Sequence, residues 1–395
     1  MKDKTPSIRF KGFTDDWEQR KAKNLFVSTA DKGHPELPVL SATQDRGMIR
    51  RDENSINIYH DKKNEEGYKR VLPGQFVIHL RSFQGGFAHS AIEGITSPAY
   101  TVFGFSEPEK HNPNYWKYVF TSKEFIRRLE TVTYGIRDGR SISYDEFLTM
   151  DFVYPMQDEQ TKIANYLDTL DNLITLHQRK CEVLLNIKKS MLEKMFPKNG
   201  KKVPEIRFDG FTDDWEQRKA KNLFVSTADK GHPELPVLSA TQDRGMIRRD
   251  ENSINIYHDK KNEEGYKRVL PGQFVIHLRS FQGGFAHSAI EGITSPAYTV
   301  FGFSEPEKHN PNYWKYVFTS KEFIRRLETV TYGIRDGRSI SYDEFLTMDF
   351  VYPMQDEQTK IANYLDTLDN LITLHQRKLE KLQNLKKSML EHMFL

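Results

Sequence analysis

The sequence predicts two copies of an α/β (α+β) globular domain, each followed by a long α-helix, with the two helices forming an antiparallel coiled coil. The first observation is an internal repeat, because residues 12–180 recur without one change as residues 210–378. The second is a mixture of strand-like and helical segments in each copy, and the third is a heptad pattern after it. Since each repeat is domain-sized, we expect two similar units related by an approximate two-fold axis.

The composition is that of a folded chain with room for two to four domains. It has 395 residues, of which 37% are hydrophobic and 12% aromatic, and its net charge of +3 comes from 58 basic and 55 acidic residues. Cys181 is the only cysteine, which excludes an internal disulfide framework, and we expect it to be a small core residue. The first ten residues have no apolar signal core and no long uncharged apolar run follows, so we expect a cytoplasmic protein without a membrane span.

The globular part of each repeat predicts both strands and a helix. Strand-like runs occupy residues 37–40, 75–80 and 100–105, and a helical stretch covers residues 114–130. Its apolar residues recur at helical spacing, and we interpret them as core side chains and not as a platform for stacked bases. They are Tyr115, Tyr118, Val119, Phe125 and Ile126.

A long helix follows the globular part. Pro155 ends the domain, Asp158 and Glu159 supply a cap and favourable first-turn charge, and the helical pattern continues to about Phe196. Its length should be roughly 55–60 Å. The predicted domains are residues 1–156 and 206–354, the helices are residues 157–197 and 355–395, and the linker is residues 198–205.

The heptad pattern predicts which face of each helix is buried. Eight of the ten a and d positions are apolar or cysteine, which favours a coiled coil. A short connector and a globular domain before each helix favour an antiparallel pair. We interpret His177 and His375 as polar seam residues that set register, and not as metal ligands. The seam positions are Ile163, Leu167, Leu170, Ile174, His177, Cys181, Leu184, Lys188, Met191 and Met195, and in the second copy Ile361, Leu365, Leu368, Ile372, His375, Leu379, Leu382, Lys386, Met389 and Met393.

Differences between the helix ends predict their packing. Cys181 is replaced by Leu379 and Ile187 by Leu385, so these positions are expected to be buried. Two others change from apolar to polar, Val183 to Lys381 and Leu185 to Gln383, and are expected to be exposed.

Catalytic motifs are poorly represented. The sequence has no G-x-x-x-x-G-K-[ST] loop, no G-x-S-x-G elbow and no cysteine spacing for zinc. Residues 112–115 read N-P-N-Y and resemble the N-P-P-aromatic motif of amino-methyltransferases, but they depart from it at the third position. Residues 61–63 read D-K-K and are more typical of a charged turn than of a nuclease. The motifs favour binding over catalysis.

Three segments of each repeat carry side chains that suit DNA. Arginine and glutamine can bond guanine and adenine edges, cations bind phosphates, and glycine allows close approach. Each segment alone is also typical of a solvated surface, but duplication favours DNA because two identical domains match an inverted repeat. The candidates are Gln44, Arg46, Arg50 and Arg51 with Gly47; Arg81, Ser82, Gln84 and His89 with Gly85 and Gly86; Arg137, Arg140 and Ser141 with Gly139 and Ser143; and Lys69 and Arg70. Their second-copy equivalents are Gln242, Arg244, Arg248, Arg249, Lys267, Arg268, Arg279, Ser280, Gln282, His287, Arg335, Arg338 and Ser339.

Several motifs resemble those of type I restriction–modification specificity subunits. They are the opening I-R-F and F-T-D-D-W at residues 8–17, the junction Y-G-I-R-D-G-R-S-I-S at residues 134–143, Phe147, F-V-Y-P at residues 152–155, and D-E-Q-T-K-I at residues 158–163. The resemblance covers almost the whole chain in both copies, and the helix-start motif is its most specific part.

The resemblance implies a subunit without catalysis of its own. Each recognition domain would bind one half of a gapped DNA target, and the helices would set the gap and dock two modification subunits. The chain would bind no cofactor, whereas S-adenosylmethionine, ATP and Mg would act through the modification and restriction subunits. Family members normally carry two different domains, so identical copies imply equal, inverted half-sites. Two alternatives stay open, a coiled-coil scaffold without DNA reading and a self-sufficient DNA methyltransferase or nuclease.

Overall fold

A computed structural model describes residues 5–43, 46–54, 62–79, 86–132, 142–198, 200–241, 244–252, 260–277, 284–330 and 340–394. The chain divides into two units. Unit 1 comprises Met1–Gln178 and Arg377–Leu395, and unit 2 comprises Arg179–Gln376. Each unit therefore contains one globular domain, the first part of the helix that follows it, and the C-terminal end of the other repeat's helix.

The first repeat alternates short strands with helices, as the sequence predicts. Its described strands are β1 (Glu18–Lys21), β2 (Phe26–Thr29), β3 (Leu40–Thr43), β4 (Gly47–Arg50), β5 (Lys69–Val71), β6 (Phe76–Ile78), β7 (Phe87–His89), β8 (Gly94–Thr96), β9 (Thr101–Phe105) and β10 (Asp151–Tyr154). Its α-helices are α1 (Pro113–Thr121), α2 (Lys123–Val132), α3 (Tyr144–Leu148) and α4 (Gln157–Lys194). Short 3-10 helices cover Ala22–Asn24, Arg51–Glu53, Lys62–Gly67 and Pro108–Lys110.

The second repeat has the same elements. Its strands are β11 (Glu216–Lys219), β12 (Phe224–Thr227), β13 (Leu238–Thr241), β14 (Gly245–Arg248), β15 (Lys267–Val269), β16 (Phe274–Ile276), β17 (Phe285–His287), β18 (Gly292–Thr294), β19 (Thr299–Phe303) and β20 (Asp349–Tyr352). Its helices are α5 (Pro311–Thr319), α6 (Lys321–Val330), α7 (Tyr342–Leu346) and α8 (Gln355–His392). The 3-10 helices are Ala220–Asn222, Arg249–Glu251, Lys260–Gly265 and Pro306–Lys308. This arrangement confirms the predicted fold class.

An antiparallel sheet and three two-stranded pairs build the first domain among its described residues. The sheet has the order β2-β9-β6-β7, with Phe76 opposite both His89 and Phe103. The pairs are β1-β10, β3-β4 and β5-β8. Because β10 lies next to β1 and directly before α4, the start of the long helix is held against the beginning of the domain.

One face of the sheet packs on α1 through an aromatic core. The ring centroid of Phe26 lies 5.2 Å from that of Trp116, 5.4 Å from that of Phe147 and 5.5 Å from that of Phe103. Tyr115, Tyr118 and Phe125 are buried as well, which confirms that they are core side chains. Edge-to-face and tilted ring pairs of this kind add to the stabilisation from burial.

Two predicted boundaries differ from the structure. The strand expected at residues 37–40 is β3 at Leu40–Thr43, since Pro38 lacks the amide hydrogen that a ladder needs. The single helix expected at residues 114–130 is split into α1 and α2. Ser122 is extended there, with φ −68° and ψ 146°, and its hydroxyl accepts a hydrogen bond from the Phe125 amide, which starts a new helix.

The helix seam agrees with the heptad prediction. The predicted a and d residues of α4 and α8 are buried or half-buried, whereas the flanking Leu176 and Val183 are exposed. In unit 1, Asp171 of α4 pairs with Lys386 of α8 at 2.5 Å, and in unit 2, Lys188 pairs with Asp369 at 2.5 Å. As the residue number in α4 rises from 171 to 188, the number of its partner in α8 falls from 386 to 369. This reversed order is that of an antiparallel pair.

The predicted exposures are mostly confirmed. Val183 and Leu185 are 56% and 49% exposed, and Cys181 is buried. The prediction for Leu385 is wrong, because this residue is 39% exposed. It flanks the seam position Lys386 and does not lie in the seam. Within the described ranges, each helix is too short or too polar to span a bilayer.

Candidate nucleic-acid interface

The start of each long helix is locked to the first residues of its domain. Arg9 donates to both oxygens of the Glu159 carboxylate through Nε and Nη2, at 2.8 and 2.7 Å, and Trp17 Nε1 donates to the same carboxylate at 3.2 Å. Glu159 is only 2% exposed, so its charge is compensated by these donors. The motifs that are far apart in the sequence therefore meet in one structural contact.

Gln160 extends this junction to α1. Its Oε1 accepts from the Asn112 amide at 2.9 Å, and its Nε2 donates to the Pro155 carbonyl at 2.8 Å. Asn112 caps α1, since its Oδ1 accepts from the Asn114 amide at 2.9 Å, and its Nδ2 donates to Thr161 Oγ1. The N-P-N-Y segment is thus a helix cap with Pro113 at the first helical position.

A charged network joins α1 to both long helices. Tyr118 donates from its hydroxyl, which lies 2.7 Å from Asp168 and 2.8 Å from Asp171. Lys117 pairs with Asp168 at 2.5 Å and Lys386 pairs with Asp171 at the same distance. In unit 2, Lys315, Tyr316, Asp366, Asp369 and Lys188 form the equivalent network.

Beside this network in unit 2 lies a cavity of about 520 Å³, which we call the hairpin cleft. It lies between the end of β13, the start of β14, the end of β17, one face of α5 and the C-terminal part of α4. The residues used below are Lys188, Arg244, Gly245, His287, Asn312 and Lys315. Lys188 belongs to the first repeat, so this cleft contains side chains from both repeats.

The half-buried histidine of the cleft is neutral at pH 7. Burial, together with the positive charge of Lys315, lowers the pKa of His287 to about 4. His287 Nε2 is buried and has no hydrogen-bond partner within the part of the chain that the structure describes. His89 has the same lowered pKa and an equally buried Nε2 in unit 1.

The first candidate segment is a hairpin and not an open loop. Gly47–Arg50 forms β4 against β3, and Arg46 directly precedes β4. Arg46 and Arg50 are exposed. Arg51 is half-buried, and its Nε and Nη1 make no hydrogen bond in the described residues. The same holds for Arg244, Arg248 and Arg249 in the second repeat.

Lys69 and Arg70 make contacts inside the domain. Lys69 Nζ donates to the Tyr100 carbonyl at 2.6 Å, and burial lowers its pKa. Arg70 pairs with Glu93 at 2.5 Å and with Asp31 at 3.4 Å. In the second repeat, Lys267 donates to the Tyr298 carbonyl, and Arg268 pairs with Glu291 and Asp229. These four cations already have a structural role, and their contact with DNA stays a prediction.

Most of the other candidates lie outside the described residues. They are Gln44, Arg81, Ser82, Gln84, Arg137, Arg140 and Ser141, with Gln242, Arg279, Ser280, Gln282, Arg335, Arg338 and Ser339. Ser143 is described, and its hydroxyl accepts from the Glu146 amide as the cap of α3.

Sequence reasoning did not nominate the α1 side of this surface. Asn114, Lys117 and Thr121 correspond to Asn312, Lys315 and Thr319 of the cleft. Their spacing of three and four residues places them on one helix face. That polar face beside a basic hairpin is the signal that could have found them.

Comparisons with known proteins give one curated relative and several similar structures. No protein-family model matches the chain. The Type I restriction enzyme MjaVIII specificity subunit of Methanocaldococcus jannaschii is 27% identical over 253 residues, which cover 60% of this chain and 59% of the relative. The chain thus matches about three-fifths of that relative's length.

Two solved structures align with almost the whole chain. The type-I restriction-modification system S subunit from M. genitalium superposes with a TM-score of 0.61 at 12% identity, covering 99% of both chains. The HsdS subunit from Thermoanaerobacter tengcongensis gives a TM-score of 0.46 at 13% identity, covering 96% of both. The resemblance stated from the sequence motifs is confirmed by the curated relative, and the first structure shares the fold.

Proposed function

We propose that this chain is the sequence-specific DNA-binding subunit of a type I restriction–modification complex. The observation that carries the proposal is the coincidence of two likenesses, since the curated relative with matching sequence and the solved structure with the same fold are both specificity subunits. The duplicated domain supports it independently, because two identical domains suit two identical half-sites.

Each globular domain, at residues 1–156 and 206–354, would bind one half of the target. Since the halves of the protein are identical from residue 12 to 180, the target is an inverted repeat with equal halves and a gap. The helix pair sets that gap. Candidate contacts are the hairpin arginines Arg46 and Arg50 with their equivalents Arg244 and Arg248, which are exposed.

The chain would supply recognition and leave the chemistry to other subunits. Two modification subunits would dock on it and transfer methyl groups from S-adenosylmethionine to adenine, and restriction subunits would use ATP and Mg. In keeping with this division, the N-P-N-Y segment, which resembles a methyltransferase motif, forms the cap of α1. The Glu159 carboxylate accepts hydrogen bonds from Arg9 and Trp17 of the same domain.

Methylome sequencing tests the proposal. The chain is expressed with its modification subunit, and a matched strain lacks only this chain. We expect a gapped motif with inverted, equal halves that appears only when the chain is present.

Two results would contradict the proposal. An assembled complex that adds no motif would favour a coiled-coil scaffold without DNA reading. Methylation by the purified chain alone would favour a self-sufficient enzyme.

A further inference from the structure

The hairpin cleft has the charge of an anion site. Three cations, Lys188, Arg244 and Lys315, line it, and Asp369 is the acidic residue that lines it. Lys315 and Lys188 are bonded to Asp366 and Asp369. Arg244, by contrast, has no acidic partner among the described residues and is exposed on the hairpin turn. The cleft therefore presents one uncompensated guanidinium beside two lysines.

Backbone geometry fixes the position of the turn residue that carries that guanidinium. Gly245 has φ +68°, and a Cβ on it would lie 2.3 Å from the carbonyl oxygen of His287. The turn is thus pressed against the end of β17 at a point where only glycine fits. Gly47 has φ +67° and the same 2.3 Å approach to the His89 carbonyl, so the backbone next to the arginine is held in the same way in both repeats.

The remaining groups add hydrogen bonding without adding charge. His287 is a neutral imidazole whose Nε2 is buried without a partner among the described residues. Asn312, near the N-terminus of α5, also lines the cleft. A cation at the rim with neutral donors behind it suits a phosphodiester, which needs charge compensation and several donors.

We propose that the hairpin cleft binds a phosphate of the DNA backbone, with Arg244 as the principal cation and Lys315 beside it, and that Arg46 and Lys117, at the equivalent positions of the first repeat, do the same. This inference rests on the proposed DNA-binding function and names the contact that positions each domain on the duplex. Because Lys188 of α4 lines the cleft of the second domain, the site of that domain includes a side chain of the other repeat. In unit 1, Lys386 of α8 pairs with Asp171 in the same way.

The test compares the salt dependence of DNA binding between matched variants of the full chain, each assembled with its modification subunits. One variant carries Arg46→Ala and Arg244→Ala. The control carries Lys23→Ala and Lys221→Ala, which remove two exposed cations from the 3-10 helices away from the cleft. Binding is measured across a salt series, on a duplex with the motif found by methylome sequencing and on an unrelated duplex.

Two lost phosphate contacts should reduce the slope of log K against log salt by about 2, because each contact contributes about 0.9. The binding constants for both duplexes should fall by the same factor, and the methylated motif should be unchanged. The control should keep the wild-type slope. Arg46→Lys with Arg244→Lys should restore most of the slope, which separates loss of charge from loss of folding.

Three outcomes would overturn a specific step. An unchanged slope in the arginine variant, with DNA still bound, would refute the phosphate site in the cleft but would not contradict the proposed function. A changed methylation motif would mean that these arginines contact bases and not phosphates. If the wild-type complex binds neither duplex at any salt concentration, the proposed function itself fails.

Discussion

At the start of each long helix, one carboxylate accepts three hydrogen bonds from the N-terminal segment of its domain. Glu159 binds Arg9 and Trp17, and Glu357 binds Arg207 and Trp215. Both carboxylates are almost completely buried. Removing one partner of such a pair leaves the other charge desolvated, which costs more than the intact pair contributes.

We therefore expect Glu159→Ala with Glu357→Ala to destabilise each domain by about 3 kcal/mol. In a domain of this size that corresponds to roughly 6–12 °C in the melting temperature, measured by calorimetry. The control, Glu107→Ala with Glu305→Ala, removes ion pairs to Arg20 and Arg218 that are about one-third exposed. Equal shifts in the two variants would contradict the role assigned to Glu159.

Two buried and two half-buried histidines predict a loss of stability in acid. Burial lowers the pKa of His89, His111 and His287 to about 4 and also lowers that of His309. An imidazole in the unfolded chain titrates near 6.5. Between these values the unfolded chain binds more protons, so stability that is present above about pH 6.5 is lost as the pH falls toward 4.

Replacing His111 and His309 by glutamine should weaken this dependence. The melting temperature of the wild type should fall between pH 7 and 4.5, and that of the variant should fall less, because it has fewer groups that protonate on unfolding. Parallel curves for the two proteins would show that other groups cause the acid sensitivity.

Among the elements, the helix pair combines an apolar seam with an ionic contact that is seen in each unit. Lys386 pairs with Asp171 and lies 5.5 Å from the ring centroid of Tyr118. A polar residue at a seam position favours one register, because any other register buries it without its partner. The contact also ties the helix pair to α1, whose Tyr118 binds the same aspartate.

The seam should carry more stability than the outer helix face. Leu167→Ala with Leu365→Ala removes two fully buried side chains, and each should cost about 2–5 kcal/mol. Leu185→Ala, at a site that is 49% exposed, is the matched control and should cost much less. Denaturant midpoints followed by far-UV circular dichroism measure both. A similar loss in the control would place the helix contact on another face.

In the whole molecule, identical domains that are each followed by a long helix suggest one way to change the gap in the target without changing the half-site that each domain reads. Deleting residues 181–187 and 379–385 removes one heptad from each helix and keeps the seam in phase. Seven helical residues are about 10 Å long, equivalent to about three base pairs at 3.4 Å each. We expect the gap in the methylated motif to shorten by up to that amount, with the half-sites unchanged.

A length-preserving control uses the chain's own segments. Exchanging residues 181–187 with residues 379–385 keeps both helices at full length, so the gap should stay the same. A shorter gap in this control, or new half-sites after the deletion, would disprove the role of helix length.

Local patterns in the sequence predicted most of the architecture. The repeat, the start of α4 after Pro155, and the seam positions from Ile163 to Met195 follow from identity, acidic first-turn residues and a heptad period, which do not depend on distant contacts. The cap expected at Asp158 and Glu159 is wrong, because α4 begins at Gln157 and both residues lie in its first turn. The burial of Tyr115, Tyr118 and Phe125 follows from helical spacing in the same way. Leu385 departs from its prediction because apolar character does not distinguish a seam residue from its neighbour.

The candidate site depended on contacts between segments far apart in the chain. Sequence position alone did not distinguish Arg70, which is paired with Glu93, from Arg46, whose guanidinium has no acidic partner in the described residues. It also did not place Lys188 of one repeat beside Arg244 of the other. A residue's type and spacing determine which helix face it occupies, whereas its charge partner and the cleft it lines are set by long-range packing, which the folded chain alone establishes.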